Sequence, residues 1–575
     1  MDVEVESYTG FTKEMFSPRS LILYARSALI SLYGLDESEA LTEEEVSAHC
    51  RLDQSTPYAR VNVTLRTNGI LRGSMSGTGT TLGEQLRSAV ILSSMDSRFT
   101  GAIVSSEVAS VMIEVWLQTD GEEISLEARS EPNAFQLGIE GVEIRENNAF
   151  AYYKPSVAIT SNISSAQQLF RRLCRKAKID DKKWMQPSVS LRKTNWVHIC
   201  ETPGGDASAM RALRPIEEDR LTRATVGQWL NECVQYLIAN QDAEGGFCYQ
   251  YDPIRNTANP NSSNSVRASG CAYSIALAAS NEHVLNLSSA NQSAERAIES
   301  ILRRAVHSED GTIYIADNRQ RKGGKLGTTA LFLLALLSPS QRDRHEETIC
   351  GLIAAIAKHQ DPTGRFACVF GECEQRASHD DFFPGQAILA MALRAASGDS
   401  ECTQIYRRAF SVYRDHFRKR PATAFVGWQA DAWSRISRLD GCHDYAEFVF
   451  EQIDWLLQYQ LHNHVQEIYF GGFSWNGKPP SYSSIVYTEA IARAAALAHE
   501  RGDQRWHLYK DAFRAGLAFC LRLRHRAEQS IYFPAPARSI GGIAENLTRF
   551  QVRSDFVQHA ITLAMASLDS PFLLD

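Results

Sequence analysis

The 575-residue chain is too long for one ordinary domain, and at 44% hydrophobic, 22% charged and 9% aromatic it is apolar enough to exclude wholesale disorder. Its net charge of -7 gives no basic excess for nucleic acid or an anionic membrane, and no apolar run reaches the roughly 18–20 residues of a membrane span. The acidic, polar start MDVEVESYTG is not a secretory signal, and twelve dispersed cysteines suit reduced thiols, so a cytoplasmic location is expected.

Residues 1–200 read as mixed α and β. An amphipathic helix is predicted over Pro18–Leu35, and a strand over Tyr58–Leu65. The strand turns at Asn68-Gly69, a strong hairpin signal, and returns through Ile70–Arg72. Leu82–Ser94 reads as a helix, Val111–Gln118 as a half-buried strand and Gln167–Ile179 as a basic amphipathic helix. Residues 201–221, with Pro203-Gly204-Gly205, read as a linker.

Five stretches of this half, in this order, carry a family signature: Tyr58–Leu65, Asn68–Gly73, Asp96–Phe99, Ile113–Trp116 and Leu173–Trp184. They resemble the AMMECR1 family over about residues 15–200. The resemblance implies a compact α+β domain with a cleft near Leu71-Arg72-Gly73. Where that family reads Leu-Arg-Gly-Cys-Ile-Gly, this chain has Ser74-Met75-Ser76 after Gly73. A hydroxyl therefore stands in for a thiol, and an unactivated serine is a far weaker nucleophile at pH 7. Arg72, Gly73 and Ser74 are the candidate cleft residues, with Arg72 placed to hold an anion. Gly73 and Gly77 also suit a plain tight turn.

From residue 222 to 575 apolar residues recur at helical spacing and a unit repeats six times: a helix, a Gly/aromatic turn, then a charge-poor helix. The turns are Gln241–Phe247, Asp310–Tyr314, Gln360–Phe366, Tyr469–Phe473 and Ile540–Ile543, with Pro421–Phe425 in the fourth place. The helices before them have one wet face and read as outer. Those after them begin near Arg267, Lys325, Asp381, Trp428, Ser483 and Asp555, are apolar nearly all round and read as buried. Six such hairpins predict a closed (α/α)6 toroid rather than an open solenoid, whose ends would need caps. The stretch resembles the (α/α)6 toroids of glycan-processing enzymes and of the terpenoid-cyclase and prenyltransferase class. The Gln-x-x-x-Gly-Gly-Phe turns look like the latter's QW-type turns.

The inner helices' first turns are predicted to face a common funnel. They bring Arg267 and Tyr273; Lys325; His379 and Asp381; Trp428, Asp431 and Trp433; Tyr487 and Glu489; Asp555 and His559. Several carboxylates and histidines in one cavity suit acid–base chemistry on a sugar. Asp381 and Asp431 are the acid/base candidates, and His379, Asp555, His559 and Glu489 assist. Trp428, Trp433 and Tyr487 would stack on the ligand, and Arg267, Tyr273 and Lys325 would bind it. Asp381 and Asp555 equally suit helix caps, Asp555 and His559 suit an i, i+4 pair, and Glu489 in an Ala-rich helix needs a polar partner. No cofactor is expected. Cys368, Cys373 and His379 do not make a known zinc spacing, and Asp440-Gly441-Cys442 falls at the wrong end of the ring. Asp380-Asp381-Phe382-Phe383 lacks the third aspartate of a class I terpene-synthase motif. The leading expectation is a hydrolase, lyase or epimerase acting on a polar saccharide-like or carboxylate-bearing small molecule. The alternatives are a cyclase or transferase on an apolar substrate and a non-catalytic scaffold.

Overall fold

The computed structural model describes residues 17–35, 58–131, 134–217, 219–259, 264–317, 322–462 and 468–575. The first ten residues and Cys50, on which part of the localisation argument rests, lie outside them. None of the described cysteines is in a disulfide, and no helix among the described residues is long and apolar enough to cross a membrane.

The N-terminal unit is an antiparallel sheet with helices on it. Its strands are β1 (Arg60–Thr67), β2 (Ile70–Ser76), β3 (Val111–Glu123), β4 (Gly141–Glu146), β5 (Ala149–Tyr153), β6 (Ser190–Glu201), β7 (Ala207–Arg211) and β8 (Arg214–Pro215). The order is β2-β1-β3-β6-β4-β5, and β7 pairs with β6 and β8. The β1–β2 turn has Asn68 at φ 48° and Gly69 at φ 74°, as a tight Asn-Gly hairpin requires. Helix α1 (Pro18–Leu32) starts on a Ser17 cap with proline in its first turn, and α2 (Leu82–Ser94) on a Thr81/Glu84 capping box. Two shorter helices follow, α3 (Ser156–Thr160) and α4 (Ala166–Lys176). The segment expected as a linker is a correction: β7 and β8 within 201–221 extend the sheet instead.

Among the described residues, the remaining twelve helices alternate outer and inner. The outer ones are α5 (Arg223–Ala239), α7 (Leu287–Leu302), α9 (Glu346–Lys358), α11 (Ser400–Lys419), α13 (His443–Leu457) and α15 (Arg505–Arg522). The inner ones are α6 (Ser265–Ala278), α8 (Leu326–Leu336), α10 (Phe383–Ala395), α12 (Thr423–Asp440), α14 (Ser483–Glu500) and α16 (Ser554–Asp569). Each inner helix packs on the next, and α16 packs back on α6, so the ring is closed. At the mouth, Arg553 pairs in a sheet with Gln250, joining the last repeat to the first.

The Gly-rich turns explain the repeat. Gln241, Gln360 and Gln460 each donate through Nε2 to the carbonyl of their own turn's glycine and to a carbonyl of the next outer helix, that of Ser293, Ile405 and Ala512 at 2.8–2.9 Å. Those glycines, and Gly541 in the sixth turn, have φ between 81° and 100°. A Cβ on any of them would meet the next outer helix's carbonyl at 1.9–2.1 Å, so only glycine fits. Gly541 docks on Glu232 of α5, which closes the ring from the outside. The fourth inner helix is a second correction. It begins at Thr423 rather than near Trp428, because the expected turn Pro421–Phe425 is already its first turn.

The two units share an apolar seam of Trp116, Ile159, Met210 and Leu213 against Ile531, Tyr532, Phe533 and Phe550. The Arg214 guanidinium donates to the Leu547, Arg522 and Arg524 carbonyls at 2.7–3.2 Å. The Gly69 turn sits so close to the Phe533–Pro534 backbone that a Cβ there would lie 2.5 Å away.

Candidate functional site

The axis of the ring gathers a charged cluster about two turns into the inner helices. Asp431 on α12 is buried, with Oδ1 accepting from Arg435 Nε at 2.9 Å and lying 3.3 Å from Arg493 Nε on α14. Burial alone would raise its carboxyl, but the two arginines outweigh that and hold it below the ordinary carboxylate range. Facing it from α6 is the buried Tyr273. Burial pushes its hydroxyl up to about 12, with Asp431 and Glu489 adding to the rise against Arg435 and Arg493. On α16, His559 Nδ1 lies 3.1 Å from Glu489 Oε2 of α14, and its ring sits 5.2 Å from that of Trp428. The partner that Glu489 needs is therefore His559, and the expected Asp555–His559 pair is corrected.

Nearer the mouth, Asp555 lies 3.3 Å from Arg267 Nε and accepts from Arg553 Nε at 3.0 Å and Nη2 at 2.6 Å. These charges overcome burial and keep the carboxyl ionised. Arg553 lies over Tyr482 and Phe556, whose rings stack at 3.5 Å. A second mouth cluster joins the first two repeats: Lys325 Nζ is 2.7 Å from Asp317, which also accepts from Ser265 and Thr328. His379, 8% exposed, precedes α10, on the side of the ring opposite α16. Burial, with Lys325 and Arg376 beside it, depresses its imidazole.

Three expected residues are placed elsewhere. Asp381 accepts from His416 at 3.2 Å and Arg420 at 3.1 Å, at the end of the outer helix α11, so it serves the inner–outer seam and not the funnel. Its neighbour Asp380 is taken by Arg365. Trp433 is fully buried, donates to Gln429 at 2.7 Å and packs on Phe410 and Tyr445 between inner and outer helices, so it is no stacking platform. Tyr487 donates to Thr423 at 2.9 Å between the starts of α12 and α14. Arg435 and Arg493 are additions. Their only sequence signal is an arginine four residues after Asp431 and Glu489, a spacing that reads equally as a surface ion pair.

In the N-terminal unit Arg72 is clamped by the Glu107 carboxylate, which corrects its assignment as a free anion holder. Gly73 lets β2 approach α2, since a Cβ would meet the Ser93 carbonyl at 1.8 Å; Gly77 does the same against Gln85. Behind this cleft Glu114, His198 and Cys200 lie within reach of one another and of the Tyr532 hydroxyl. Glu114 Oε1 is bound by Arg66 at 2.5 Å, and burial pushes the Cys200 thiol well up. A guanidinium on one donor and a protonated thiol as another fit a buried ion-pair relay better than a cation site.

Residues 23–194 match the family model described as AMMECR1. No curated protein matches the chain. Solved structures similar to it include an uncharacterized protein from Pyrococcus horikoshii, 18% identical over 34% of this chain and 99% of that one, with a TM-score of 0.30. Cellobiose 2-epimerase from Bacillus thermoamylovorans is 12% identical over 60% of this chain and 100% of that one, with a TM-score of 0.46. A family 76 glycoside hydrolase from a bovine Bacteroides thetaiotaomicron strain is 6% identical over 80% and 96%, with a TM-score of 0.44. The chain thus joins an AMMECR1-type α+β unit to an (α/α)6 toroid.

Proposed function

We propose that the toroid binds a polar, saccharide-like molecule in its funnel and moves a proton on it through the His559–Glu489 pair, as an epimerase or isomerase does. The observation that supports this reading is the pair itself. Nδ1–H donates to the Glu489 carboxylate at 3.1 Å, which orients the ring and leaves Nε2 to take a proton from carbon. Arg435 and Arg493, both partly exposed, offer guanidinium groups for the oxyanion that forms when a proton leaves the carbon beside a carbonyl. His379, on the opposite side, is the second imidazole that inversion at that carbon would use. Hydrolysis of a glycosidic bond needs one carboxyl kept protonated, and Asp431 and Asp555 are both held ionised. A prenyl-type substrate would need a dry, apolar wall where this funnel carries arginines, a lysine and carboxylates.

A second reading, a toroid that binds such a ligand without converting it, is favoured by one specific feature: each of the funnel carboxylates Asp317, Asp431, Glu489 and Asp555 has a cationic or histidine partner. Incubation in D2O with a panel of aldoses, ketoses and uronic acids separates the two. Deuterium entering the carbon next to the carbonyl supports the enzyme. A sugar that binds by calorimetry without exchange supports the binder.

A further inference from the structure

The cleft serine is not isolated. Ser74 on β2 lies opposite Thr64 on β1, and Lys154, directly after β5, reaches between them. Its Nζ is 2.6 Å from Asn62 Oδ1, 2.5 Å from Thr64 Oγ1 and 3.1 Å from Ser74 Oγ. Asn62 and Thr64 are buried, and Lys154 is only 9% exposed, with its nitrogen 5.1 Å from the Trp116 ring. Asn62 Oδ1 can only accept, and the Thr64 hydroxyl also points at it, at 3.3 Å. The Ser74 hydroxyl also lies 3.0 Å from Thr64 Oγ1 and 3.3 Å from Asn62 Oδ1, and with two amine hydrogens of a neutral Nζ on Asn62 and Thr64 its lone pair is left for the Ser74 hydroxyl at 3.1 Å. The Ser74 backbone is held by N–H donation to Asp96 at 3.0 Å and by its carbonyl accepting from Arg98 at 2.8 Å. Ser74 is half-buried; two residues on, Ser76 and Tyr152 hydrogen-bond at 2.9 Å, and Tyr152 stacks on Trp196.

We propose that Ser74 and Lys154 form a second catalytic site, a serine nucleophile with a lysine base, which takes small acyl esters or thioesters. The Ser74 proton passes to Lys154 Nζ as Oγ bonds to the acyl carbon and the carbonyl oxygen takes the negative charge. Collapse expels the alcohol or thiol, which carries away the proton held on Lys154. Water then attacks the Ser74 ester by the same route and releases the acid and the free hydroxyl. Burial pushes the Lys154 ammonium down to about 7, against Glu114 of β3 and Cys200 of β6 and helped by Arg66 of β1 and Lys176 of α4. His198 of β6 also faces it and is itself depressed by burial. A base of that strength is matched to neutral pH.

The test uses the full chain with p-nitrophenyl acetate and, separately, a fluorophosphonate. The expected results are p-nitrophenolate release with a pH midpoint near 7 and a phosphonyl adduct on the peptide holding Ser74. Ser74→Ala should remove the adduct and lower release by about 100-fold or more. Lys154→Arg cannot lose its proton, so it should do the same. An adduct absent from Ser74 between about pH 6 and 9, or retained in Lys154→Arg, overturns the proposal. Loss of the adduct in a Lys154→Arg protein that still melts normally supports it. If Lys154→Arg does not fold, the wild-type midpoint decides: a rate flat across that range overturns the base role.

Discussion

Gly541→Ala perturbs the point where the sixth turn docks on the first outer helix, and its cost can be worked from two terms. The first is conformational: at φ 81° an alanine costs about 1–2 kcal/mol in the left-handed region. The second is steric: the added Cβ would lie 2.1 Å from the Glu232 carbonyl oxygen, more than an ångström inside contact distance, so the turn or α5 must shift. Overpacking of that kind costs about 1–3 kcal/mol. Gly502→Ala is the matched control, because Gly502 has φ 68° and nothing within 4 Å of its would-be Cβ. Guanidinium unfolding followed by tryptophan fluorescence should therefore show Gly541→Ala losing about 2–5 kcal/mol and Gly502→Ala about 1–2 kcal/mol. Gly364→Ala, whose Cβ would meet the Arg408 carbonyl at 2.1 Å, should match the former. Equal losses in Gly541→Ala and Gly502→Ala would refute the docking that makes these glycines obligatory.

Three further predictions concern the buried charges. Arg66→Met takes the guanidinium from the buried Glu114 carboxylate, leaving it only His198, Trp116 and Tyr532, and should cost about 3–5 kcal/mol by denaturant midpoint. Tyr532→Phe, which removes a hydroxyl bonded to Cys200 at 2.8 Å, should cost only about 1–3 kcal/mol, and the reverse order would contradict the relay. His525, fully buried, is pushed by burial and the nearby Arg214 down to about 3 from its usual 6.5. The unfolded chain therefore takes up a proton that the folded chain refuses, so stability is complete above about pH 6.5 and falls by roughly 1.4 kcal/mol per pH unit towards 3. A His525→Gln variant should show a flatter stability profile between about pH 4 and 6, and an unchanged slope would count against the buried neutral ring.

The six-fold repeat was legible because its signals are backbone demands: glycines at positive φ and charge-poor helices leave marks that neighbouring residues cannot mimic. The Asn68-Gly69 hairpin was legible for the same reason. The start of α12 was not, because Pro421–Phe425 lacks glycine and its alanines are as good in a helix as in a turn. The strands at 207–215 were hidden by Pro203-Gly204-Gly205, which serve a turn between β6 and β7 rather than a linker. The candidate site was half legible. Residue types on the inner helices singled out Asp431, Glu489, Asp555 and His559 as candidates, but which partner each would choose depends on neighbouring helices from other repeats. Asp381 reads as a funnel carboxylate only if the chain runs straight into α10; a short 3-10 turn over Ala377–Asp381 swings it to α11 instead. Likewise Lys154 carries no motif, and only the sheet order brings it to Ser74.

The central claim, that His559 moves a proton on a ligand held in the funnel, is tested most directly by solvent exchange. With a sugar or uronic acid that the wild-type protein converts in D2O, proton NMR should show deuterium at the carbon beside the carbonyl. His559→Asn and Glu489→Gln should slow that exchange by about 100-fold or more while ligand binding by calorimetry persists. Exchange that proceeds at the wild-type rate in His559→Asn would contradict the account.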